Sequence, residues 1–552
     1  MKSLEITMYF QYISSNIKSS LPNVNLLTSA TLCVLTVCLV FRIIHSLWFQ
    51  KGDGRRRPPG PKGLPLIGSL LDLRYDVLMK LKQFAQEYGS IYTINLGPTR
   101  LVVLNDKDSI KEAFVTKAAD MSDRPQAMLD TLQQTRGIIL RQPGHLHRQH
   151  RNFLSNGFRL IKLGVPEFSF HLHPHIDRFK DKLIASEGQS LQICPISHCL
   201  LFEIFTDLML GEVPDSNSEE VKKLLDVLYK TLSPNPMLVL AGKVIPTWLK
   251  SALSDWIDMS DYLSKVTHYL KEHIQEHRKT YEGDPQNLID AFLLKEQQEL
   301  DKYNRLRKDD IGSSSSNSGG KSDQEPPETS PRVTSVMVND QEENEKNLAA
   351  ILMDVFQAGC TSIVASLQWL LLDLAFNQDV QEKMRKEIDG YVEERNQRPS
   401  LLIRSDNFHY TKAVMLESLR LHPPAPLGAP HCAARDTKLG GFHIDKGTII
   451  LSNLLNALQD SKQWKDAGDF RPERFLNEDG TLETRDTLGF STGPRLCPGK
   501  LLTNTVISSI LTEIIQDFTF HLPPDHKHSL KGIPGIVYNP QPFSIIAKQR
   551  QR

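Results

Sequence analysis

Ten consecutive residues, Phe490-Ser491-Thr492-Gly493-Pro494-Arg495-Leu496-Cys497-Pro498-Gly499, constrain this chain more than its length does. They set one cysteine in a glycine- and proline-rich turn directly before Lys500 to Leu511, an apolar stretch compatible with a helix. Glycines on both sides let backbone N–H groups turn toward the sulfur, and the positive end of a following helix adds to them. Both effects favour thiolate over thiol. A sulfur held this way can bind iron axially. A buried structural cysteine in a tight turn satisfies the same spacing. A phosphate loop does not, because one residue too many lies between Gly493 and Gly499-Lys500, and Leu501 stands where a Ser or Thr is needed.

Composition limits what can surround this loop. With 40% hydrophobic and 24% charged residues in 552, the chain is globular, long enough for several domains or for one large domain with an appendage. The balance of 65 basic against 65 acidic side chains excludes the overall basic footprint of a nucleic-acid-binding protein. Seven cysteines are too few for a disulfide scaffold, and the odd count leaves at least one unpaired.

Leu26 to Phe41 is an almost unbroken apolar run, continued past Arg42 and His45 to Phe49. The uninterrupted part spans only about 24 Å as a helix, so the following turn is needed to cross a hydrocarbon core of roughly 30 Å. Some 25 mixed residues precede the run, an arrangement unlike the basic start of a signal peptide. Residues 26–49 therefore read as a transmembrane anchor, with residues 1–25 as a lumenal extension. Lys51, Arg55, Arg56 and Arg57 follow and keep the body on the cytosolic side. Pro58, Pro59, Gly60, Pro61, Gly63 and Pro65 then make residues 50–68 a stiff hinge, since proline fixes φ and lacks a donor.

Residues 69–552 read as one body, mainly α with small β-sheets. Ile91 to Leu96 and Leu101 to Leu104 are β-favouring runs joined through Gly97 and Pro98, a hairpin. Helical spacing marks Lys222 to Leu232, Ser254 to Tyr281, Val380 to Arg395 and Asn504 to Phe518. From Asp309 to Asn339 the chain turns to Ser, Gly, Pro and charge, and this stretch is expected to be a disordered insertion.

The run around Cys497 resembles the haem-binding signature of the cytochrome P450 superfamily, F-x-x-G-x-R-x-C-x-G, at every fixed position. Glu417-Ser418-Leu419-Arg420 matches that family's E-x-x-R, and Arg474 in Pro472-Glu473-Arg474-Phe475 follows in the family's order, implying a buried Glu-Arg-Arg cluster. Asp354 to Trp369 resembles the long oxygen-binding helix of microsomal members. There, Ala358-Gly359 is expected to open room over the haem. The resemblance extends from Pro58 to Phe543 and implies Cys497 as the axial iron ligand, with Phe490, Gly493 and Gly499 shaping the haem-binding loop. It also assigns haem propionate contacts to Arg124, His147, Arg151, His431 and Arg495.

Two departures bear on the chemistry. After A-G-x the family usually has an acid and then a threonine, whereas this chain has Thr361 and Ser362. Ser362 retains a hydroxyl for a proton network; the acidic relay is missing. In the segment aligned with W-x-x-x-R, His147 stands for tryptophan while Arg151 is kept, and an imidazole N–H can still donate to a carboxylate. A metal site built from these histidines with His171, His173 and His175 is disfavoured, because H-x-H spacing on a helix turns ligands to different faces.

The resemblance implies a monooxygenase of the endoplasmic-reticulum membrane, single-pass, holding haem b and related to the steroid and drug hydroxylases. Electrons would come from NADPH through NADPH-cytochrome P450 reductase, with cytochrome b5 as a further partner; no G-x-G-x-x-G fingerprint for NADPH occurs in this chain. Arg148, Arg159 and Lys500 are candidate dock residues. By family position the pocket is lined from Met121 to Leu140, Pro234 to Leu249, around Phe356 and Ala358, from Ala425 to Ala429 and from Gly535 to Val537. These segments are mostly aliphatic and suit a sterol, lipid or apolar foreign compound. Two rival readings remain, a reductase-independent isomerase or dehydratase and a non-catalytic haem carrier or sensor.

Overall fold

The computed structural model describes residues 31–40, 54–64, 67–126, 137–215, 218, 219, 221, 259–314, 341–403, 407–483, 487–524 and 529–551. Helices of twelve residues or more are α1 (Val77–Tyr88), α2 (His145–Leu160), α3 (Ser169–Ile184), α4 (Ile193–Leu210), α5 (Met259–Thr280), α6 (Leu288–Ser314), α7 (Gln341–Phe376), α8 (Gln378–Arg395), α9 (His409–Leu421) and α10 (Lys500–Asp517). Among the described residues three small sheets accompany them, in agreement with the mainly helical expectation.

The expected hairpin forms. β1 (Ile91–Leu96) and β2 (Thr99–Leu104) pair antiparallel from Ile91↔Leu104 to Leu96↔Thr99, with Gly97 supplying φ +59 at the turn. The sheet continues in the order β1-β2-β7-β4, where β7 (Ile449–Ser452) runs parallel to β2 and β4 (His431–Cys432) antiparallel to β7. β3 (Ser190–Gln192), β9 (Ser544–Gln549) and β8 (Phe518–His521) form a second sheet, and β5 (Thr437–Leu439) with β6 (Phe442–Ile444) a third.

The start of the body differs from the stiff spacer expected for residues 50–68. Thr93 N–H of β1 donates to the Pro59 carbonyl at 2.7 Å, and a Cβ on Gly60 would lie 1.8 Å from the Thr93 oxygen. Arg57 and Arg100 share Asp445, at 3.3 and 2.6 Å. Residues 57–63 thus belong to the body, laid against β1 at a distance only glycine permits.

α7 explains much of the core. Its 36 residues span about 54 Å, and from Leu348 to Ala375 apolar side chains are buried on nearly every face. Phe356 meets Phe202 of α4 edge-on at 5.8 Å, so the two most apolar helices pack on each other. Both are long and apolar enough to cross a membrane, but they are largely buried inside the body. At the opposite side Glu513 of α10 grips Lys180 of α3 at 2.7 Å, Arg398 at 2.8 Å and Ser400 at 2.6 Å.

Several expectations meet the structure at their edges. The helix expected from Ser254 to Tyr281 is described from Met259 to Thr280, residues 254–258 lying outside the described residues, and that from Val380 begins at Gln378. The expectation of disorder from Asp309 is corrected at its start: α6 continues through Ser314, its 27 residues carrying the insertion's first residues in helix. Residues 315–339 lie outside the described residues, as do Lys222 to Leu232, all of Pro234 to Leu249 and both ends of the apolar N-terminal run. Of that run, Thr31–Val40 is helical, about 15 Å long by helical rise and too short alone to cross a bilayer.

Candidate active site

The cysteine loop is shaped by positions that tolerate little change. Gly493 has φ +74, and a Cβ there would lie 1.8 Å from the Phe114 carbonyl oxygen, so only glycine fits. Ser491 accepts φ +62 without being glycine. Cys497 N–H closes the loop onto the Phe490 carbonyl at 3.0 Å, and Gly499 caps α10. Burial pushes the Cys497 thiol up, while the Gly499 N–H and the Arg151 guanidinium pull it back toward thiolate. No such help reaches Cys360, pushed up to about 12, while Cys432 is pushed up to about 11 by burial and by Asp123. All seven cysteines are free thiols.

Around this loop lie two buried cations, Arg124 and Arg495, and a half-buried one, Arg151. Arg495 donates to Ser122 O at 3.2 Å, Ile138 O at 3.4 Å, Arg141 O at 2.7 Å and His147 Nε2 at 2.7 Å. Arg124 donates to Ile139 O at 2.8 Å, Ala429 O at 3.2 Å and Pro430 O at 2.7 Å. Arg151 reaches Leu496 O at 2.8 Å. Burial, first, and the neighbouring arginines, second, lower Arg124 to about 9; burial and Arg151 lower Arg495 to about 10. Among the described residues, none of these three guanidinium groups forms an ion pair with a carboxylate.

The two imidazoles each hold a protein partner in this structure. Because Arg495 can only donate, His147 Nε2 accepts, and the ring orients a guanidinium. Burial and the adjoining arginines push His147 down to about 3 and keep it neutral. His431 holds Met121 O through Nδ1 at 2.8 Å, lies stacked on Phe114 at 3.9 Å, and is likewise held well below the usual imidazole range by burial. His173 and His175 turn to different partners, Ser400 at 2.8 Å and Asp207 at 2.9 Å.

A second arginine cluster is fully paired. Glu417 accepts from Arg420 at 2.7 and 2.9 Å, from Arg474 at 2.8 Å and from the Arg471 N–H at 2.9 Å. The remaining guanidinium donors of Arg420 and Arg474 end on carbonyls from Leu458 to Asp469, and both cations lie over Trp464.

On α7, Ala358 is exposed between the half-buried Gln357 and Gly359, and Ser362 follows one turn later, its hydroxyl donating to Ala358 O at 2.6 Å. The reading of Gly359 as space over haem is corrected: a Cβ there would lie 2.3 Å from the Phe205 ring, so the glycine permits close packing of α7 on α4. Thr361 is buried, and its hydroxyl bonds Gln357 O at 2.7 Å, which turns the position usually acidic toward the core.

A family profile described as Cytochrome P450 matches residues 58–317 and 328–547. This chain belongs to the cytochrome P450 family. The break in that match falls within the Ser/Gly-rich insertion. Among curated relatives, "Cytochrome P450 2U1" of Bos taurus is 29% identical over 533 residues, covering 91% of each chain. The Homo sapiens protein of the same name is 28% identical over 552 residues, 94% of this chain and 93% of its own length. "Cytochrome P450 2B2" of Rattus norvegicus is 27% identical over 500 residues, 89% of this chain and 94% of its own length.

Cytochromes P450 are haem oxidoreductases that receive electrons from a redox partner, and the residues present fit that cofactor. Haem b carries two carboxylates, and this guanidinium cluster supplies cations that form no ion pair with a carboxylate among the described residues. The sulfur that a haem iron needs lies two residues from Arg495. Two contributors were missed in the sequence. Phe114 supports both Gly493 and His431, and nothing in its local pattern marks it. Asp354 is the other; an acid within an apolar stretch of helix is itself a signal. It accepts N–H bonds from Ile138 and, at 2.8 Å, from Ile139.

Proposed function

We propose that this protein is a haem-thiolate monooxygenase of the endoplasmic-reticulum membrane that takes NADPH electrons through a reductase and oxidises an apolar sterol, lipid or foreign compound. The reading rests above all on the Cys497 loop, whose closure, glycine geometry and thiolate-stabilising N–H suit an axial sulfur. Haem, when bound, supplies the reductive activation of O2 and the transfer of one oxygen atom. Cys497 would hold the iron; Arg124, Arg151 and Arg495 would bind the carboxylates, with His147 and His431 orienting the cluster. Ala358 leaves room at the helix surface, and Ser362 would hold a proton or water near Ala358 O. Arg148, Arg159 and Lys500 are exposed and would provide positive charge for an acidic redox partner. The apolar run from residue 26 to 49 would supply a single-pass anchor. Reduced protein with carbon monoxide is expected to show the red-shifted Soret band of a thiolate ligand, and Cys497→Ala to abolish it. A band retained in that variant moves the ligand elsewhere.

A second reading, reductase-independent isomerisation or dehydration, is favoured by the missing acid at Thr361. Ser362→Ala separates the two. In a monooxygenase it should lower product per NADPH consumed, by up to the roughly 10²–10⁴-fold that positioned proton transfer contributes, and divert electrons to peroxide while substrate binding persists. Unchanged coupling removes the hydroxyl from the mechanism, and turnover without reductase establishes the second reading. A spectral binding screen across sterols, fatty acids and apolar drugs would narrow the substrate.

A further inference from the structure

One stripe of α7 is more open than the rest of that stretch. Ala358, Ser362 and Ser366 recur every fourth residue, each less buried than the residues beside it, and Asp373 follows seven residues later on the same side. The Ser366 hydroxyl donates to Ser362 O at 2.9 Å, as that of Ser362 does to Ala358 O, and each hydroxyl oxygen can still accept. The stripe begins beside the missing acid and ends on a buried one.

Asp373 is joined to His422, the residue just past α9. His422 Nε2 lies 3.2 Å from Asp373 Oδ1, while Oδ2 accepts the Ser418 hydroxyl at 2.6 Å. The ring lies flat on Trp369 at 3.8 Å, which fixes its plane. Its other nitrogen, Nδ1, is buried without a hydrogen-bond partner among the described residues, in a side chain only 8% exposed. A buried polar nitrogen left unbonded is costly, so it points to a small polar ligand. An imidazole held by a carboxylate at one nitrogen can give and take a proton at the other.

Space for such a ligand is present. His422 lines a cavity between α7, α9 and α10, together with Ser366, Ser418, Phe490, Thr503 and Asn504. About 30 Å³ of it is open to water, room for about two molecules at roughly 10–15 Å³ each. Asn504 is exposed, which gives the cavity a wall at the surface, and Ser366 gives it a hydroxyl on α7.

We propose that this cavity is a water site, and that Asp373 and His422 form a buried proton relay feeding the hydroxyl stripe of α7 in place of the acid missing at Thr361. Protonated His422 gives its Nδ1 proton to a cavity water, that water passes one to Ser366 Oγ, and Ser366 passes its own toward Ser362 Oγ. The ring regains a proton from bulk water entering beside Asn504, and Asp373 keeps its charge throughout. The proposal rests on the monooxygenase reading and deepens it by naming the proton source; neither relay residue touches haem or substrate in this role.

Two measurements on the full-length holoprotein test it. Deuterium uptake at the ring carbon of each histidine, resolved by mass spectrometry, requires water at the ring and no turnover. His175 is the dry reference, 2% exposed and bonded at both nitrogens, to Asp207 at 2.9 Å and Arg178 at 2.7 Å. His422 should exchange about tenfold faster than His175 or more, the scale of the charged hydrogen bonds that His175 must first break. Ser366→Val, which fills the α7 end of the cavity, should slow His422 toward the His175 rate. Equal rates for the two histidines in the wild type would show a dry cavity and overturn the proposal. The second measurement is NADPH oxidation with the reductase and no added substrate, comparing electrons that form water with electrons released as hydrogen peroxide. Ser366→Val and His422→Gln should lower the ratio of water to peroxide about a hundredfold, the low end of what positioned proton transfer contributes. His422→Gln retains an amide donor for Asp373 and lacks the second ring nitrogen, and Ser366→Thr, which keeps the hydroxyl, should restore the wild-type ratio. A wild-type ratio in Ser366→Val, or wild-type electrons that all leave as peroxide, would overturn the relay. A wild type that oxidises no NADPH with the reductase rejects the monooxygenase reading and the relay with it, and the His422 rate alone then decides the water site.

Discussion

Two clusters of buried arginine stand within this body, and they differ in one respect. Arg420 and Arg474 converge on Glu417, with further donors ending on carbonyls. Arg124 and Arg495 are buried to a similar degree, but their described partners are carbonyls and an imidazole. A carbonyl satisfies the hydrogen bond of a guanidinium without neutralising its charge. The two cations of the first cluster therefore share a carboxylate supplied by the fold itself. In the second, no guanidinium is bonded to a carboxylate among the described residues; burial first, and repulsion between the arginines second, lower Arg124 and Arg495, and an anionic cofactor suits them.

The largest break in this comparison comes from taking the acid away from the first cluster. Glu417→Gln leaves two buried guanidinium groups without their charge partner, and a loss of about 3–5 kcal/mol in unfolding free energy is expected, with poor accumulation of folded protein. Thermal or denaturant unfolding of the haem-free chain measures it. An unchanged midpoint would mean that the carbonyls alone hold Arg420 and Arg474.

Glu513 sharpens the same point by pH. Lys180, Arg398 and Ser400 hold its carboxyl down to about 2 against an ordinary 4.5, despite burial pushing it up. A lowered acid stabilises the fold fully above the unfolded value and loses that contribution as pH falls from about 4.5 through 2. The loss should be on the order of 2–3 kcal/mol. In Glu513→Gln this part of the acid-unfolding slope should disappear, as followed by circular dichroism; an identical slope would place the acid sensitivity elsewhere.

The smallest effect on folding is expected in the second cluster. Arg124→Gln removes a charge that lacks a carboxylate partner, so haem-free stability should change by no more than about 1 kcal/mol, whereas haem affinity should fall about tenfold. Calorimetric unfolding of the haem-free protein and haem titration separate the two quantities. A large loss of stability with unchanged haem affinity would make Arg124 a structural residue like Arg420.

Short-range chemistry was readable along the chain. Gly493, Cys497 and Gly499 lie within seven residues, so the turn that aims N–H groups at the sulfur is encoded where the sulfur is. Glu417 and Arg420 share a helix face by their i,i+3 spacing, and Gly97 marks the hairpin because a turn there needs positive φ. Arg474, 57 residues from Glu417 in the chain, was reached only through the order of family motifs.

What the sequence determined alone was therefore the loop, the family and the identity of most charged groups near the site. Tertiary structure decided which groups those charges meet. Gly359 faces Phe205 on another helix, His147 accepts from an arginine 348 residues away, and Asp354 closes on amides more than 200 residues earlier. The physical reason is that spacing sets the direction of a side chain only along its own element. Whether a buried guanidinium ends on a carboxylate or on a carbonyl depends on how distant elements pack, and that choice separates an arginine that completes the fold from one that receives an anion.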